Sequence, residues 1–227
     1  MKFFRLDAAI RVEGSISRSL ADLAEAAWAR AFPDAEFVRR DLGRHPLPPV
    51  WPIAEASRTT PEHARTREQR AATALGTELA DEFLSADAFL LAVPMYNFGV
   101  PQQVKTWIDL IITDHRAADV SRPIVPGRPA LLVQARGGGY APGTPRAGWD
   151  HATPYLNRIL GDVWGLDVVA ATAELTAADV NPALAELRPL AHRCLVDARA
   201  DTIRHARDIA DRLRATPNSP TPEPVTA

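Results

Sequence analysis

Short, continuously apolar runs alternate along the chain with segments whose apolar residues recur every three or four positions. The run 88–93, bounded by Asp87 and Pro94, is typical of a strand that is covered on both faces. The segment 101–112 has the helical period. Strands interleaved with helices predict an α/β fold with a doubly wound, five-stranded parallel sheet and helices on both faces. The predicted strands are 3–7, 36–41, 88–93, 130–135 and 167–173, and the predicted helices are 17–32, 61–83, 101–112, 152–164 and 182–214, the last broken near Pro189.

This pattern indicates one domain over residues 1–215. A chain of 227 residues, 46% of them hydrophobic, is long enough for one well-buried core. The stretch 46–52 carries large apolar residues among its prolines, which predicts a loop packed on the surface or on a partner subunit. The tail 216–227 is rich in proline and poor in large apolar residues, so we expect it to be disordered.

Charge and composition exclude several functions. The net charge of -2 gives no basic field for phosphates, so we expect no nucleic-acid partner. No apolar run approaches the roughly 20 residues that span a bilayer. Asp7 comes too early for the core of a signal peptide, so we expect a cytoplasmic protein with no membrane partner. Cys194 is the only cysteine and the histidines are scattered, which predicts neither a disulfide nor a metal site.

The loop after the first predicted strand ends in two serines at the start of a helix. In doubly wound sheets, ligands bind beyond the carboxyl ends of the strands, where the strand order reverses. Residues 9–18 end in Ser15-Ile16-Ser17-Arg18, and a helix N-terminus with free N–H groups and two hydroxyls suits a phosphate. The alternative is that Ser15 or Ser17 only caps the helix.

The loop after the third predicted strand combines a thioether, two aromatic rings and an amide where small polar turn residues are usual. It consists of Pro94-Met95-Tyr96-Asn97-Phe98. This mixture suits a flat heteroaromatic ring, because it offers apolar contact to the face of the ring and hydrogen bonds to its edge. The alternative is a loop whose aromatic side chains pack into the core.

Glycines dominate the loop after the fourth predicted strand, Arg136-Gly137-Gly138-Gly139-Tyr140. Glycine lets the backbone approach a ligand closely and leaves the N–H groups unobstructed. A flexible linker is the alternative, which the buried strand immediately before the loop disfavours. The chain lacks both the lysine of a phosphate-binding loop and the dinucleotide pattern G-x-G-x-x-G.

In this order, the three loops resemble those of the FMN-dependent NADH:quinone oxidoreductase (azoreductase) family, which has a flavodoxin-like fold. The similarity extends over residues 1–205 with nearly the same spacing, and the loop 94–98 is its most specific part. Further matching positions are Gln103, Lys105, Asp109, Leu110, Thr153, Pro154, Tyr155, Leu156 and Gly161.

The resemblance implies a homodimer with two FMN sites at the subunit interface. The first loop would bind the FMN phosphate, the second would flank the isoalloxazine ring, and the third would contact the pyrimidine side of that ring. Tyr96 and Asn97, beside the reactive edge, are catalytic candidates. The implied cofactor-binding residues are Ser15, Ile16, Ser17, Pro94, Met95, Tyr96, Asn97, Phe98, Arg136, Gly137, Gly138, Gly139 and Tyr140.

The implied reaction is a ping-pong hydride transfer. NADH or NADPH would pass hydride to the flavin, which would pass it to a quinone, an azo compound or a related conjugated acceptor, for instance a specialised biosynthetic substrate. Two alternatives stay open. One is a flavodoxin-like electron carrier, which the mild net charge disfavours, and the other is a tailoring enzyme with a non-reductive or flavin-independent role.

The first departure from the family's pattern concerns the phosphate. Ala9 stands where the family has a serine beside the phosphate. The missing hydrogen bond to a charged group is worth about 1–3 kcal/mol. Arg11 or Arg18 can compensate, since a guanidinium pairs with phosphate through two hydrogen bonds.

The second departure concerns the segment 111–123, which lacks the aromatic lid of the family. It carries charged residues instead, among them Asp114, His115 and Arg116, which suit a polar or anionic acceptor. His115 is the third catalytic candidate, as a proton donor, because imidazole titrates near neutral pH. The alternative for His115 is a solvated loop residue.

Overall fold

One parallel sheet forms the centre of the computed structural model, which describes residues 1–215. Its strands are β1 (Lys2–Asp7), β2 (Glu36–Asp41), β3 (Ala88–Ala92), β4 (Pro129–Ala135) and β5 (Asp167–Ala173). Their order in the sheet is β2-β1-β3-β4-β5, so the order reverses between β1 and β3. The predicted fold is confirmed, and the predicted tail 216–227 lies outside the described residues.

Helices cover both faces of this sheet. Two of them, α1 (Ile16–Ala31) and α6 (Arg188–Ala215), pack together on one face. The other face carries α3 (Arg67–Leu84), α4 (Gln102–Ile112) and α5 (Ala152–Leu156), and α2 (Trp51–Ser57) packs beside α3.

Two consecutive residues of β1 show how the sheet separates two apolar cores. Phe3 stacks on Trp28 of α1 with ring centroids 4.8 Å apart, and Phe4 stacks on Trp107 of α4 at 5.9 Å. Consecutive strand residues point to opposite faces, so β1 buries an aromatic ring on each face of the sheet. The indole N–H of Trp28 donates to the Ala206 carbonyl oxygen at 2.9 Å and ties α1 to α6. This packing fixes the strand ends from which the loops extend.

One helix begins later than predicted because a capping box determines its start. The helix predicted over 61–83 begins at Arg67. The Thr66 hydroxyl accepts from the Gln69 N–H at 3.2 Å, and the Gln69 side chain accepts from the Thr66 N–H at 3.0 Å. Pro61 precedes only a short 3₁₀ turn, Glu62–Ala64.

Two proline-containing stretches are helical where a loop or a break was predicted. Trp51, in the stretch 46–52, begins α2, and Pro52 lies in its first turn, where a missing N–H removes no hydrogen bond. Pro189 likewise lies in the first turn of α6, and the irregularity comes earlier, in the 3₁₀ segment Pro182–Leu187. Among residues 1–215, no helix is both long enough and apolar enough to cross a membrane.

Candidate functional site

Two adjoining clefts open at the carboxyl edge of the sheet, where β1, β3, β4 and β5 end. The first, which we call the helix cleft, has a volume of about 500 Å³ and is lined by the loop before α1 and the start of that helix. The second, the aromatic cleft, has about 490 Å³ and is lined by Asn97, Phe98 and Tyr140. The clefts are continuous, because both are lined by Ile10, Met95, Tyr96, Gly137 and Ala177.

The start of α1 directs hydroxyl and amide groups into the helix cleft. Ser15 is the N-cap of α1, and its hydroxyl accepts from the Arg18 N–H at 3.4 Å. The Ser17 hydroxyl lies 3.4 Å from that of Ser15, and both residues line the cleft together with Ile16. The first N–H groups of a helix have no intrahelical acceptor, and they lie at the positive end of the helix dipole. Ser15 therefore caps the helix and also contributes to a site suited to an anion.

The guanidinium of Arg18 is turned away from this cleft. It donates to the two carboxylate oxygens of Asp41 at 2.7 and 2.6 Å, and to the Ala9 carbonyl oxygen at 2.9 Å. The prediction that Arg18 can replace the missing serine is therefore wrong, because its side chain is committed beneath the loop. Arg11 lines the helix cleft and has no ion-pair partner within residues 1–215.

Asp41 holds the loop after β1 from below. Burial alone would raise the pKa of the Asp41 carboxyl, but hydrogen bonds from the Arg18 side chain and from the N–H groups of Arg44 and Gly43 outweigh it and hold that pKa below its ordinary value. The carboxylate therefore stays charged at neutral pH. Gly43 fits closely against the loop, because a Cβ atom there would overlap the Ala9 carbonyl group and lie 2.7 Å from its carbon. These contacts fix the position of the loop that leads to Ser15.

The aromatic cleft contains a tight two-residue turn with an unusual backbone. Tyr96 and Gly99 exchange backbone hydrogen bonds at 3.0 and 2.9 Å, and the central residues Asn97 and Phe98 have φ of 47° and 68°. Asparagine tolerates this left-handed conformation, but phenylalanine in it costs about 1–2 kcal/mol. Strained non-glycine residues cluster at functional sites, so the turn supports a functional role for this loop.

Side chains of the same loop face the clefts rather than the core. Phe98 is 37% exposed, and its ring meets those of Tyr140 and Trp149 edge-on at 6.4 and 5.5 Å. The Tyr96 hydroxyl accepts from the Ile10 N–H at 3.1 Å and links the loops after β1 and β3. Pro94 and Met95 are buried and line the helix cleft. The alternative that the aromatic side chains pack into the core is therefore wrong for Phe98.

The glycine loop reaches the clefts with only part of its residues. Gly137, Gly138 and Tyr140 line the aromatic cleft. Gly139 lines neither cleft, and a Cβ atom there would lie 3.5 Å from the Leu175 and Thr144 side chains.

Arg136 is also absent from the lining of both clefts. Its guanidinium pairs with Asp150 at 3.1 Å and Glu174 at 3.3 Å and donates to the Thr153 hydroxyl at 2.6 Å. Its side chain connects three segments of the chain, and its predicted contact with the cofactor stays a prediction.

His115 lies apart from the other predicted site residues. It borders a separate cavity of about 320 Å³, lined also by Arg58, Arg65 and Thr113, which shares no residue with the two clefts. His115 lies there because α4 runs back from the carboxyl edge of the sheet, and the segment that follows α4 packs near α2 and α3. His115 is 88% exposed at its side chain, as a solvated loop residue would be. Because this cavity is separate from the two clefts, the position of His115 within its own chain does not support the predicted role as a proton donor.

Comparison with known proteins gives the family. A family model described as a flavodoxin-like fold matches residues 1–191. An FMN-dependent NADH:quinone oxidoreductase of Frankia casuarinae is 40% identical over 215 residues, covering 93% of this chain and 97% of the relative. One of Streptomyces avermitilis is 37% identical over 201 residues, covering 88% and 93%. The chain belongs to the FMN-dependent NADH:quinone oxidoreductase family.

Solved structures agree with this family at the level of fold. An FMN-dependent NADH-azoreductase of Bacillus anthracis, solved in complex with FMN, superposes with a TM-score of 0.77 at 19% identity and covers 92% of this chain and 100% of its own. The azoreductase AzrA superposes with a TM-score of 0.75 at 21% identity, covering 93% and 100%. Two predictions from the sequence are therefore confirmed: the fold and the resemblance to this oxidoreductase family.

Sequence reasoning missed the part of the clefts formed by the loop after β5 and by Arg146. In a parallel sheet, the carboxyl end of β5 lies at the same edge as the three loops that were predicted, so topology alone could have indicated this loop. No residue pattern distinguishes it, because its lining side chains are small or aliphatic apart from one threonine and one asparagine. The missed lining residues are Arg146, Thr176, Ala177, Val180, Asn181 and Leu184.

Proposed function

We propose that the chain binds FMN across the two clefts and reduces a quinone, an azo compound or a related conjugated acceptor with electrons from NADH or NADPH. The observation that carries this proposal is the continuity of the clefts. A helix N-terminus with two hydroxyls lies at one end and a set of aromatic rings at the other, joined through Met95, Tyr96 and Gly137. A ligand with a phosphate at one end and a flat ring at the other matches this arrangement.

The phosphate would lie in the helix cleft, held by Ser15, Ser17 and the N–H groups at the start of α1. Arg11 supplies a positive charge there, since Ala9 has no hydroxyl to offer. The two negative charges of a phosphate monoester are favoured at the positive end of a helix dipole. The chain thus offers charge and donors without a phosphate-loop lysine.

The ring would lie in the aromatic cleft, between the loop 94–98 and the glycine loop. When bound, FMN supplies hydride chemistry, in which its ring takes up two electrons and one proton and so gains one negative charge. Phe98 and Tyr140 would offer apolar contact to the ring, and Tyr96 and Asn97 would lie beside its reactive edge. Gly137 and Gly138 let the backbone approach the pyrimidine side, because neither carries a side chain.

We also infer a homodimer in the cytoplasm, with the second copy covering the clefts. Large apolar side chains stand exposed around the openings, with Ile10 at 66%, Trp149 at 51% and Val180 at 73% exposure. Large apolar side chains that are exposed near one site are a mark of an interaction surface. Closing the site with a second chain would exclude water from the ring.

Steady-state kinetics of the FMN-loaded protein test the reaction. With NADH and a benzoquinone both varied, we expect parallel lines in a double-reciprocal plot, because each substrate reacts with a different form of the loaded protein. Intersecting lines would contradict a ping-pong order. Cofactor that NADH and NADPH both fail to reduce would instead support an electron carrier or a tailoring role.

A further inference from the structure

One arginine of the aromatic cleft has no carboxylate partner. Arg146 lines this cleft beside Asn97 and Tyr140, and its Nη1 atom lies 2.9 Å from the position that a Cβ atom on Gly138 would occupy. Within residues 1–215 it takes part in no ion pair, whereas Arg136, the neighbouring arginine, pairs with acidic side chains. Arg146 is exposed, and an unpaired guanidinium that lines the cleft offers a site for negative charge.

The segment that carries Arg146 is held at several points. The Thr144 hydroxyl lies 3.1 Å from the Gly139 carbonyl oxygen and 2.8 Å from that of Ala141, to which it can donate. The Trp149 N–H donates to the Arg146 carbonyl oxygen at 3.1 Å, and the Trp149 ring packs edge-on against Phe98. The backbone of Arg146 is thus fixed relative to the turn that forms the opposite wall of the cleft.

We propose that Arg146 holds a positive charge against the pyrimidine edge of the bound FMN ring and raises the reduction potential of the cofactor. This inference rests on the proposed function, which puts Gly138 at that edge. Because the ring gains one negative charge when it accepts hydride, a nearby guanidinium favours that form over the oxidised one.

The two other anions that Arg146 could meet are a phosphate of the nicotinamide nucleotide and a charged group on the acceptor. Either would change a Michaelis constant and leave the reduction potential of bound FMN as it is. Measuring the reduction potential of bound FMN therefore shows whether Arg146 acts on the FMN ring or on a substrate.

The test is the midpoint potential of FMN-loaded protein, measured by spectroelectrochemical titration. For Arg146→Ala we expect the equilibrium constant for two-electron reduction to fall about tenfold, which corresponds to about 30 mV. Arg146→Lys should keep most of the wild-type potential, because it keeps the charge. Arg30→Ala, which removes an exposed arginine from the last turn of α1, should leave the potential unchanged.

A second variant changes the position of the charge without removing it. Gly138→Ala should push the end of the flexible Arg146 side chain aside, since the new Cβ would lie 2.9 Å from Nη1. We expect a smaller fall in potential than for Arg146→Ala. Arg146→Gln, which keeps most of the side-chain volume and removes the charge, carries the test if Arg146→Ala does not fold.

The proposal is overturned if the variants at 138 and 146 retain the wild-type potential. A higher KM for NADH or for an anionic acceptor at unchanged potential would also overturn it and would assign Arg146 to that substrate. Failure of the wild-type protein to bind FMN would be a different result, because it would overturn the proposed function itself, and this proposal with it.

Discussion

Replacing Gly43 with alanine is expected to reduce the NADH-dependent activity of the FMN-loaded protein on the order of a hundredfold, as misplacement of binding groups by about 1 Å does. The added Cβ atom would overlap the Ala9 carbonyl group and lie 2.8 Å from Nη2 of Arg18. Ala9 cannot yield easily, because Arg18 donates to its carbonyl oxygen at 2.9 Å. The loop that leads to Ser15 and Ser17 must therefore shift, and FMN affinity should fall with activity.

Gly161→Ala is the matched control for this prediction. A Cβ atom at Gly161 would meet nothing closer than the Leu166 carbonyl oxygen at 3.9 Å, and the position lies in the helical region before β5. The same chemical change there should leave FMN affinity and turnover at wild-type levels. Equal behaviour of the two variants in a fluorescence titration with FMN and in turnover assays would show that the loop after β1 does not depend on its contact with Gly43.

Replacing Arg18 with methionine is expected to lower the free energy of unfolding by about 3 kcal/mol, since hydrogen bonds to charged groups contribute about 1.5–3 kcal/mol each and the partly buried Asp41 keeps only its backbone N–H donors and the exposed Arg44. Arg18 is 9% exposed and forms the two-pronged pair with Asp41 at 2.7 and 2.6 Å. Methionine fills similar volume, so the lost stability would come from the charge and its hydrogen bonds. Urea denaturation of the purified protein measures this loss.

Arg44→Ala is the matched control for Arg18→Met, because Arg44 forms an exposed ion pair with the same Asp41 carboxylate. Arg44 lies 3.7 Å from Asp41, but its side chain is 57% exposed. Such a surface pair contributes about 0–1 kcal/mol. If both variants lost the same small amount of stability, Asp41 would not depend on Arg18, and the loop would be held by other contacts.

Sequence was sufficient where local pattern determines structure. The apolar run of β3 and the serine at the start of α1 are local signals, and both the strand and the cap follow them. The helix that begins at Arg67 was also signalled locally, by the capping box of Thr66 and Gln69, but the proline at 61 is the more conspicuous start signal. Errors of this kind come from weighing two local signals against each other.

Long-range contacts account for what the sequence could not predict about the site. Arg18 meets Asp41 across 23 positions, and Arg136 meets Glu174 across 38, so no local pattern shows that these guanidinium groups turn inward. From the sequence alone, every arginine near one of these loops could equally well bind a phosphate. Only the packed structure separates the committed arginines from Arg11 and Arg146.

His115 shows a different limit. Its segment was expected to cover the flavin as the family's lid does, and residue types alone did not show to which end of the sheet the segment returns. The direction of α4 carries it away from the clefts of its own chain. Similarly, the positive φ of Phe98 follows from closure of the turn between Tyr96 and Gly99, and not from any preference of phenylalanine.

An FMN titration, followed by anaerobic addition of NADH or NADPH, tests the central claim that the two clefts hold FMN and use it in hydride transfer. The account predicts saturable quenching of flavin fluorescence by wild-type protein and bleaching of the bound flavin by the nicotinamide. For Arg11→Ala it predicts about tenfold weaker binding or more, because a hydrogen bond to a charged group contributes about 1.5–3 kcal/mol. Wild-type protein that leaves FMN fluorescence unchanged, or bound FMN that neither nucleotide bleaches, would contradict it.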